Sequence, residues 1–196
     1  MNVAIILAAG ESRRMGETKQ LLPFAGKTMI ECVVAAFDLS SVDEIVVVLG
    51  YRAGEIAAKI SHSRVRVVKN ADYKDGMFTS VQAGLRELPV KTKVAMIALA
   101  DQPKLRAATV QMLLDKFTGQ ILVPSFSGRQ GHPLLLSSRY VPEILAMSAS
   151  LTLKHFLANH PNDLSRLVVE DEGVLVDIDD RSDYERESRS VNKKQH

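Results

Sequence analysis

Short apolar runs alternate along most of the chain with stretches whose apolar residues recur at three- and four-residue spacing. VAIILA (3–8), EIVVVL (44–49), RVRVV (64–68), VAMIALA (94–100) and QILVPSF (120–126) are nearly continuous in hydrophobicity and rich in β-branched residues. Strands covered on both faces have this pattern, since neither face needs polar residues. Between them, TMIECVVAAFDL (28–39), RAGEIAAKI (52–60), TSVQAGLREL (79–88) and AATVQMLLDKF (107–117) each carry one apolar stripe at helical period. The alternation predicts an α/β fold, a mostly parallel sheet with helices on both faces joined by right-handed crossovers.

From residue 128 the pattern changes. GRQGHPLLLS reads as a loop entering a strand, and SRYVPEILAM and LTLKHFLANH as two short helices. LSRLVVED and GVLVDID then read as two strands joined by a turn around Gly173. No Pro- or Ser-rich linker sets this region apart, so it is expected to extend the same domain. The polar tail RSDYERESRSVNKKQH is expected to begin as helix. Residues 1–185 are taken as the domain and 186–196 as a disordered tail.

Bulk properties narrow the function. A chain of 196 residues holds one sizeable core. The net charge of +2 implies no nucleic-acid surface, so any basic patch is local. A single Cys permits no intramolecular disulfide, in keeping with a reducing compartment. No segment approaches the roughly 20 apolar residues of a membrane helix. The N-terminal apolar run lacks the preceding basic residues of a secretory signal. A cytoplasmic protein without nucleic-acid or membrane partners is expected.

One stretch is not explained by folding alone. LAAGESRRMGETKQLLP (7–23) leaves the first strand and places Arg13, Arg14 and Lys19 beside Gly10 and Gly16. A Walker A loop is excluded, because the first glycine it requires before GKT (26–28) falls on Leu21. The dinucleotide fingerprint GxGxxG is excluded too, since Glu11 and Ser12 follow Gly10. Ligands of open α/β sheets bind beyond the carboxyl ends of strands, where this loop lies. Arg14 can grip phosphate oxygens bidentately, and Lys19, read as an exposed loop residue, supplies a mobile charge.

Other candidates keep two readings on spacing alone. Asp101 ends an apolar strand, where it can cap the helix starting near Leu105 or anchor Mg²⁺, which takes one or two carboxylates plus substrate phosphates. Asp177 and Asp179 lie two apart on an expected strand, on one face, as a solvated strand end or as ligands. Thr79 or Ser80 can cap a helix or meet a ligand. His132 is at most an acceptor contact, no Cys/His cluster has zinc spacing, and Cys32 reads as an inert core thiol.

The loop resembles the signature LAAGxSxRMGxxKxLLP of the MobA-like nucleotidyltransferases, in particular the MocA-type branch that transfers CMP to the molybdenum cofactor. NADYKDGMFTSVQAGL (70–85), LADQP (99–103), GRQGHPLLL (128–136) and GVLVDIDDRSDY (173–184) resemble further family segments in the same order. The resemblance implies a single Rossmann-like domain whose C-terminal extension shapes an acceptor pocket. It implies transfer of NMP from a nucleoside triphosphate to the phosphate of a molybdopterin-type cofactor, with release of pyrophosphate and delivery to an apo-molybdoenzyme. Arg14, Lys19 and Asp101 would be catalytic. Leu7, Ala8, Ala9, Gly10, Gly76 and Ser80, with those three, would hold the nucleotide. Mg²⁺ would sit on Asp101 and Asp179. Ala9, where guanylyl-transferring relatives have glycine, implies CTP over GTP; Arg13 falls at a variable position. The chain departs from the family at MSASLTLKHFL (147–157), where Gly-Asp-x-Gly-Ala-Arg is usual. A sugar- or polyol-phosphate acceptor, or a non-catalytic cofactor carrier, are the alternatives.

Overall fold

The computed structural model describes residues 1–60 and 64–192. Its central sheet contains β1 (Asn2–Ala8), β4 (Glu44–Leu49), β5 (Val65–Lys69), β6 (Val94–Leu99), β7 (Ile121–Phe126), β8 (Arg129–Gln130), β9 (Leu134–Ser137) and β10 (Leu164–Val168). The strand order is β10-β7-β9-β6-β1-β4-β5, with β8 paired to β7. β1 lies parallel to β4 and β6, and β5 parallel to β4. β9 runs antiparallel to both of its neighbours, which makes the sheet mixed. A two-stranded ribbon, β2 (Pro23–Phe24) with β3 (Lys27–Thr28), stands apart.

Period-two alternation along each central strand divides the core in two. Ala4, Ile6, Val47 and Met96 face α1 (Met29–Asp38), α2 (Ala53–Ala57) and α4 (Ala107–Lys116). Val3, Ile5, Val46 and Ile97 face α3 (Met77–Arg86), α5 (Val141–Ala146) and α6 (Leu153–Asn159). Gly84 lets α3 lie close to the sheet, because a Cβ there would stand 2.4 Å from Ile5 Cγ2. The tempting GKT is structural: Thr28 caps α1 in a capping box with Glu31.

Two C-terminal expectations are corrected. GVLVDID forms no strand; one 3₁₀ turn, Glu172–Val174, leads into irregular chain. Its backbone groups bond to separate loops, with Val174 O accepting from His132 N and Ile178 N donating to Asp101 O, both at 2.9 Å. Asp177 and Asp179 therefore share no strand face. The final helix, α7 (Arg181–Asn192), runs past the boundary set at 185, so residues 186–192 are ordered helix. Residues 193–196 lie outside the described residues. α7 returns to the start of the chain, where Ile178, Tyr184 and Val191 join Met15, Leu22, Phe24 and Met29 in a third apolar cluster.

Candidate functional site

A cleft of about 460 Å³ opens at the carboxyl ends of β1 and β6. Leu7, Ala9, Gly10, Arg14, Lys19, Ser80, Asp101 and Asp179 all line it. Ala8 lies beneath the loop, 1% exposed, and Gly76 sits at the cap of α3 with φ +117°; neither is part of the wall. Glu11, Ser12, Arg13, Gln20, Tyr73, Lys74 and Met77 complete much of the lining.

Lys19 corrects its reading as an exposed loop residue, since its side chain is only 13% exposed. Its Nζ donates to Asp101 Oδ2 at 2.8 Å, Asp179 Oδ1 at 3.0 Å and Ile178 O at 3.0 Å. Burial works against the ammonium, but Asp101 and Asp179 outweigh it and hold its pKa above the ordinary lysine value. The other oxygen of Asp179 pairs with Arg14 Nη2 at 2.9 Å. Burial favours the protonated Asp179, yet Lys19 and Arg14 hold its pKa below the ordinary carboxylate value. One carboxylate thus bridges two cations.

Asp101 is not a helix cap. α4 begins at Ala107 with Arg106 as its cap residue, and the carboxylate beside that end is Asp171, whose Oδ2 accepts from Arg106 N at 3.1 Å and Thr109 Oγ1 at 2.6 Å. Asp101 Oδ1 is buried with no hydrogen-bond partner among the described residues. A buried, unpartnered carboxylate oxygen facing a lysine-bound cleft fits a cation ligand. No group of three or more His, Cys, Asp or Glu arranged for a metal ion occurs among the described residues. Mg²⁺ retains several waters and draws ligands from substrate phosphates, so two carboxylates suffice.

Neither hydroxyl proposed as a cap for α3 acts as one, because the helix starts at Met77 with Gly76 as its cap. Thr79 Oγ1 donates back to Gly76 O at 2.8 Å, and Ser80 Oγ accepts from the buried Asn70 Nδ2 at 3.0 Å. His132 places Nδ1 3.3 Å from Ile97 O, and burial lowers its pKa against that contact and the charges of Asp177 and Asp101. Asp177 accepts from Gln102 Nε2 at 2.8 Å rather than facing Lys19. Burial raises its pKa, with repulsion from Asp101 and Asp179 adding to the effect.

Gln20 was missed from the sequence, where it reads as filler between Lys19 and LLP. It is 2% exposed, and its Nε2 donates to Ala8 O and Gly10 O, both at 3.3 Å. A lone amide in a charged turn was its only signal in the sequence.

A cation-lined loop after the first strand faces an acid at the end of a neighbouring parallel strand, on a nucleotidyltransferase-type fold. The chain belongs to the MobA-like NTP transferase domain family, which it matches over residues 4–164. It is similar to the nicotine blue oxidoreductase of Paenarthrobacter nicotinovorans, 30% identical over 89% of this chain and 90% of that protein. It is also similar to the molybdenum cofactor cytidylyltransferase of Escherichia coli, 26% identical over 92% of each chain. A nucleotidyl transferase structure from Methanothermobacter superposes with a TM-score of 0.86 at 26% identity, covering 99% of each chain. No helix among the described residues is long and apolar enough to cross a membrane.

Proposed function

We propose that this enzyme transfers CMP from CTP to the phosphate of a molybdopterin-type cofactor in the cytoplasm, for delivery to an apo-molybdoenzyme. The observation carrying this reading is the convergence of Arg14 and Lys19 with Asp101 and Asp179 in one cleft. The similarity to a molybdenum cofactor cytidylyltransferase over nearly the whole chain supports the choice of acceptor.

An acceptor phosphate oxygen attacks the α-phosphorus; the bond to the bridging oxygen breaks, and pyrophosphate leaves with that electron pair. An ionised phosphate is already a nucleophile, so positioning and charge stabilisation carry the reaction. Arg14 and Lys19 hold the β- and γ-phosphates and the departing charge. Asp101 and Asp179 would hold Mg²⁺, which when bound supplies Lewis-acid neutralisation of the polyphosphate. As phosphate arrives, Arg14 and Lys19 exchange Asp179 for substrate oxygens. Leu7, Ala9, Gly10 and Ser80 on the wall, backed by Ala8 and Gly76, hold the nucleotide, with the side chains of Leu7 and Ala9 toward base and ribose and the N–H groups of the turn toward the phosphates. The Cβ of Ala9 narrows the space left for a purine's second ring.

The test is pyrophosphate release with Mg²⁺ and each nucleotide on a molybdopterin, sugar-phosphate or polyol-phosphate acceptor. CTP is expected to exceed GTP in kcat/KM by roughly 10–200-fold, and Ala9→Gly to narrow that ratio. A wild-type preference for GTP overturns the cytidylyl assignment. Release only with a sugar or polyol phosphate moves the acceptor. Absence of release with every acceptor would overturn the nucleotidyl-transfer reading.

A further inference from the structure

We propose that Gln20 is the positioning residue that leaves the backbone of the turn from Leu7 to Gly10 with hydrogen-bond donors alone to offer, and so favours an anionic ligand. This rests on the reading of the cleft as a polyphosphate site. A loop that cradles phosphate must keep its carbonyl oxygens away from the ligand, because each carries a partial negative charge that repels it. Here four consecutive carbonyls are drawn away. Leu7 O accepts from Ala100 N at 3.1 Å, and Ala9 O from Tyr51 N at 3.1 Å. The remaining two, Ala8 O and Gly10 O, are both taken by the amide of Gln20 at 3.3 Å. Among the described residues, the N–H groups of Ala9, Gly10 and Glu11 find no acceptor. What the turn has left for a ligand is donors.

Gln20 has the chemistry for this task and nothing to spare. Its two amide hydrogens serve two carbonyls, and its Oε1 accepts from Ser12 Oγ at 3.3 Å. Ser12 Oγ in turn accepts from the backbone N–H of Lys19 at 3.2 Å. The network therefore joins the cradle to the residue that carries the buried ammonium. With no amide hydrogen free for substrate, Gln20 acts through the loop. Leucine at this place would fill a similar volume and release both carbonyls. Glutamate would set a carboxylate against them and drive the turn apart.

The test is calorimetric titration of inorganic tripolyphosphate, with Mg²⁺, into wild type, Gln20→Leu, Gln20→Glu and Ser12→Ala, with melting temperatures measured alongside. Gln20→Leu is expected to bind about tenfold more weakly, Gln20→Glu more weakly still, and Ser12→Ala about threefold more weakly. Because the cradle holds phosphate in ground and transition states alike, the loss should appear in the KM for nucleotide with kcat little changed. A merely structural role would lower the melting temperature and leave the Kd of the folded variant unchanged. Ser12→Ala alters one hydroxyl and decides the matter if the buried substitutions prevent folding. Wild-type binding with variants within about twofold of it overturns the role of Gln20 alone. Absence of binding by the wild type overturns the polyphosphate reading as well.

Discussion

Lys19 and Lys104 form a natural comparison. Each side chain is nearly buried, 13% and 14% exposed, and each lies between two carboxylates, one or both from the C-terminal segment. Lys104 donates to Glu172 Oε1 at 2.5 Å and Glu187 Oε2 at 2.8 Å. In both, burial disfavours the ammonium and the carboxylates more than restore it. Their surroundings differ. Glu187 is also held by Arg186 Nε at 2.9 Å, so that clamp is closed on its own partners. Around Lys19, Asp101 keeps an unpartnered buried oxygen and Asp179 is divided between Lys19 and Arg14. The same pairing serves as a fastening in one place and, on the proposed function, as a set of exchangeable counter-ions in the other. Unfinished electrostatics, rather than the presence of charge, separates a site from a staple.

The largest effect should come from breaking the exchangeable clamp. Lys19→Met is expected to lower turnover by about 10²-fold or more, as for loss of one preorganised charge contact in a transition state. It should also cost stability, because it leaves Asp101 and Asp179 facing each other. Steady-state pyrophosphate release and thermal melting of the purified variant check both parts; full activity would remove Lys19 from the chemistry.

Asp179→Asn sharpens the contrast from the other side. With the internal anion removed, Arg14 and Lys19 should bind inorganic tripolyphosphate in EDTA about three- to tenfold more tightly than in wild type. Glu172→Gln, beside Lys104, should leave that affinity unchanged. Calorimetry without metal reads both; weaker binding by Asp179→Asn would show that its carboxylate is not a stand-in for phosphate.

The smallest effect belongs to the closed fastening. Because Glu172 is half exposed and its pairing screened, Lys104→Met should cost about 1–2 kcal/mol at neutral pH, between exposed and buried pairs, and spare turnover. Its pH dependence follows from Glu187, whose pKa burial would raise but Lys104 and Arg186 bring below the ordinary value. A depressed carboxylate stabilises fully above its unfolded pKa and loses that contribution as pH falls through the folded one. The melting-temperature gap between wild type and Lys104→Met should therefore hold from pH 7 to about 5 and narrow only as pH falls below the ordinary glutamate value of about 4.3. A constant gap would assign the loss to packing.

The central strands and the cation-rich loop were legible because their signals are local: continuous apolar runs for β1, β4 and β6, and glycines with basic residues after β1. RAGEIAAKI promised a longer helix than the observed Ala53–Ala57. GVLVDID was misread because its apolar positions serve two separate cores. Val174 packs under α4's face of the sheet and Ile178 in the third cluster, so their spacing imitates a strand. The bridging role of Asp179 could not be seen, since it depends on a contact spanning 160 positions. Gln20 was hidden for a different reason: a lone glutamine has no periodicity, and only the fold turns it under the loop.

The third cluster also bears on how the protein is made. Its members near the amino end, Met15, Leu22, Phe24 and Met29, obtain apolar cover from Ile178, Tyr184 and Val191, and Tyr184 Oη donates to Pro23 O at 2.6 Å. A growing chain on the ribosome therefore carries its cation-rich loop uncovered until nearly all the residues described here have emerged. A loop translated well before α7 is thus among the last parts of this domain to be packed, leaving an interval in which chaperones and proteases meet it bare. Deletions within α7 should consequently damage the packing around the cation-rich loop, which is synthesised before it.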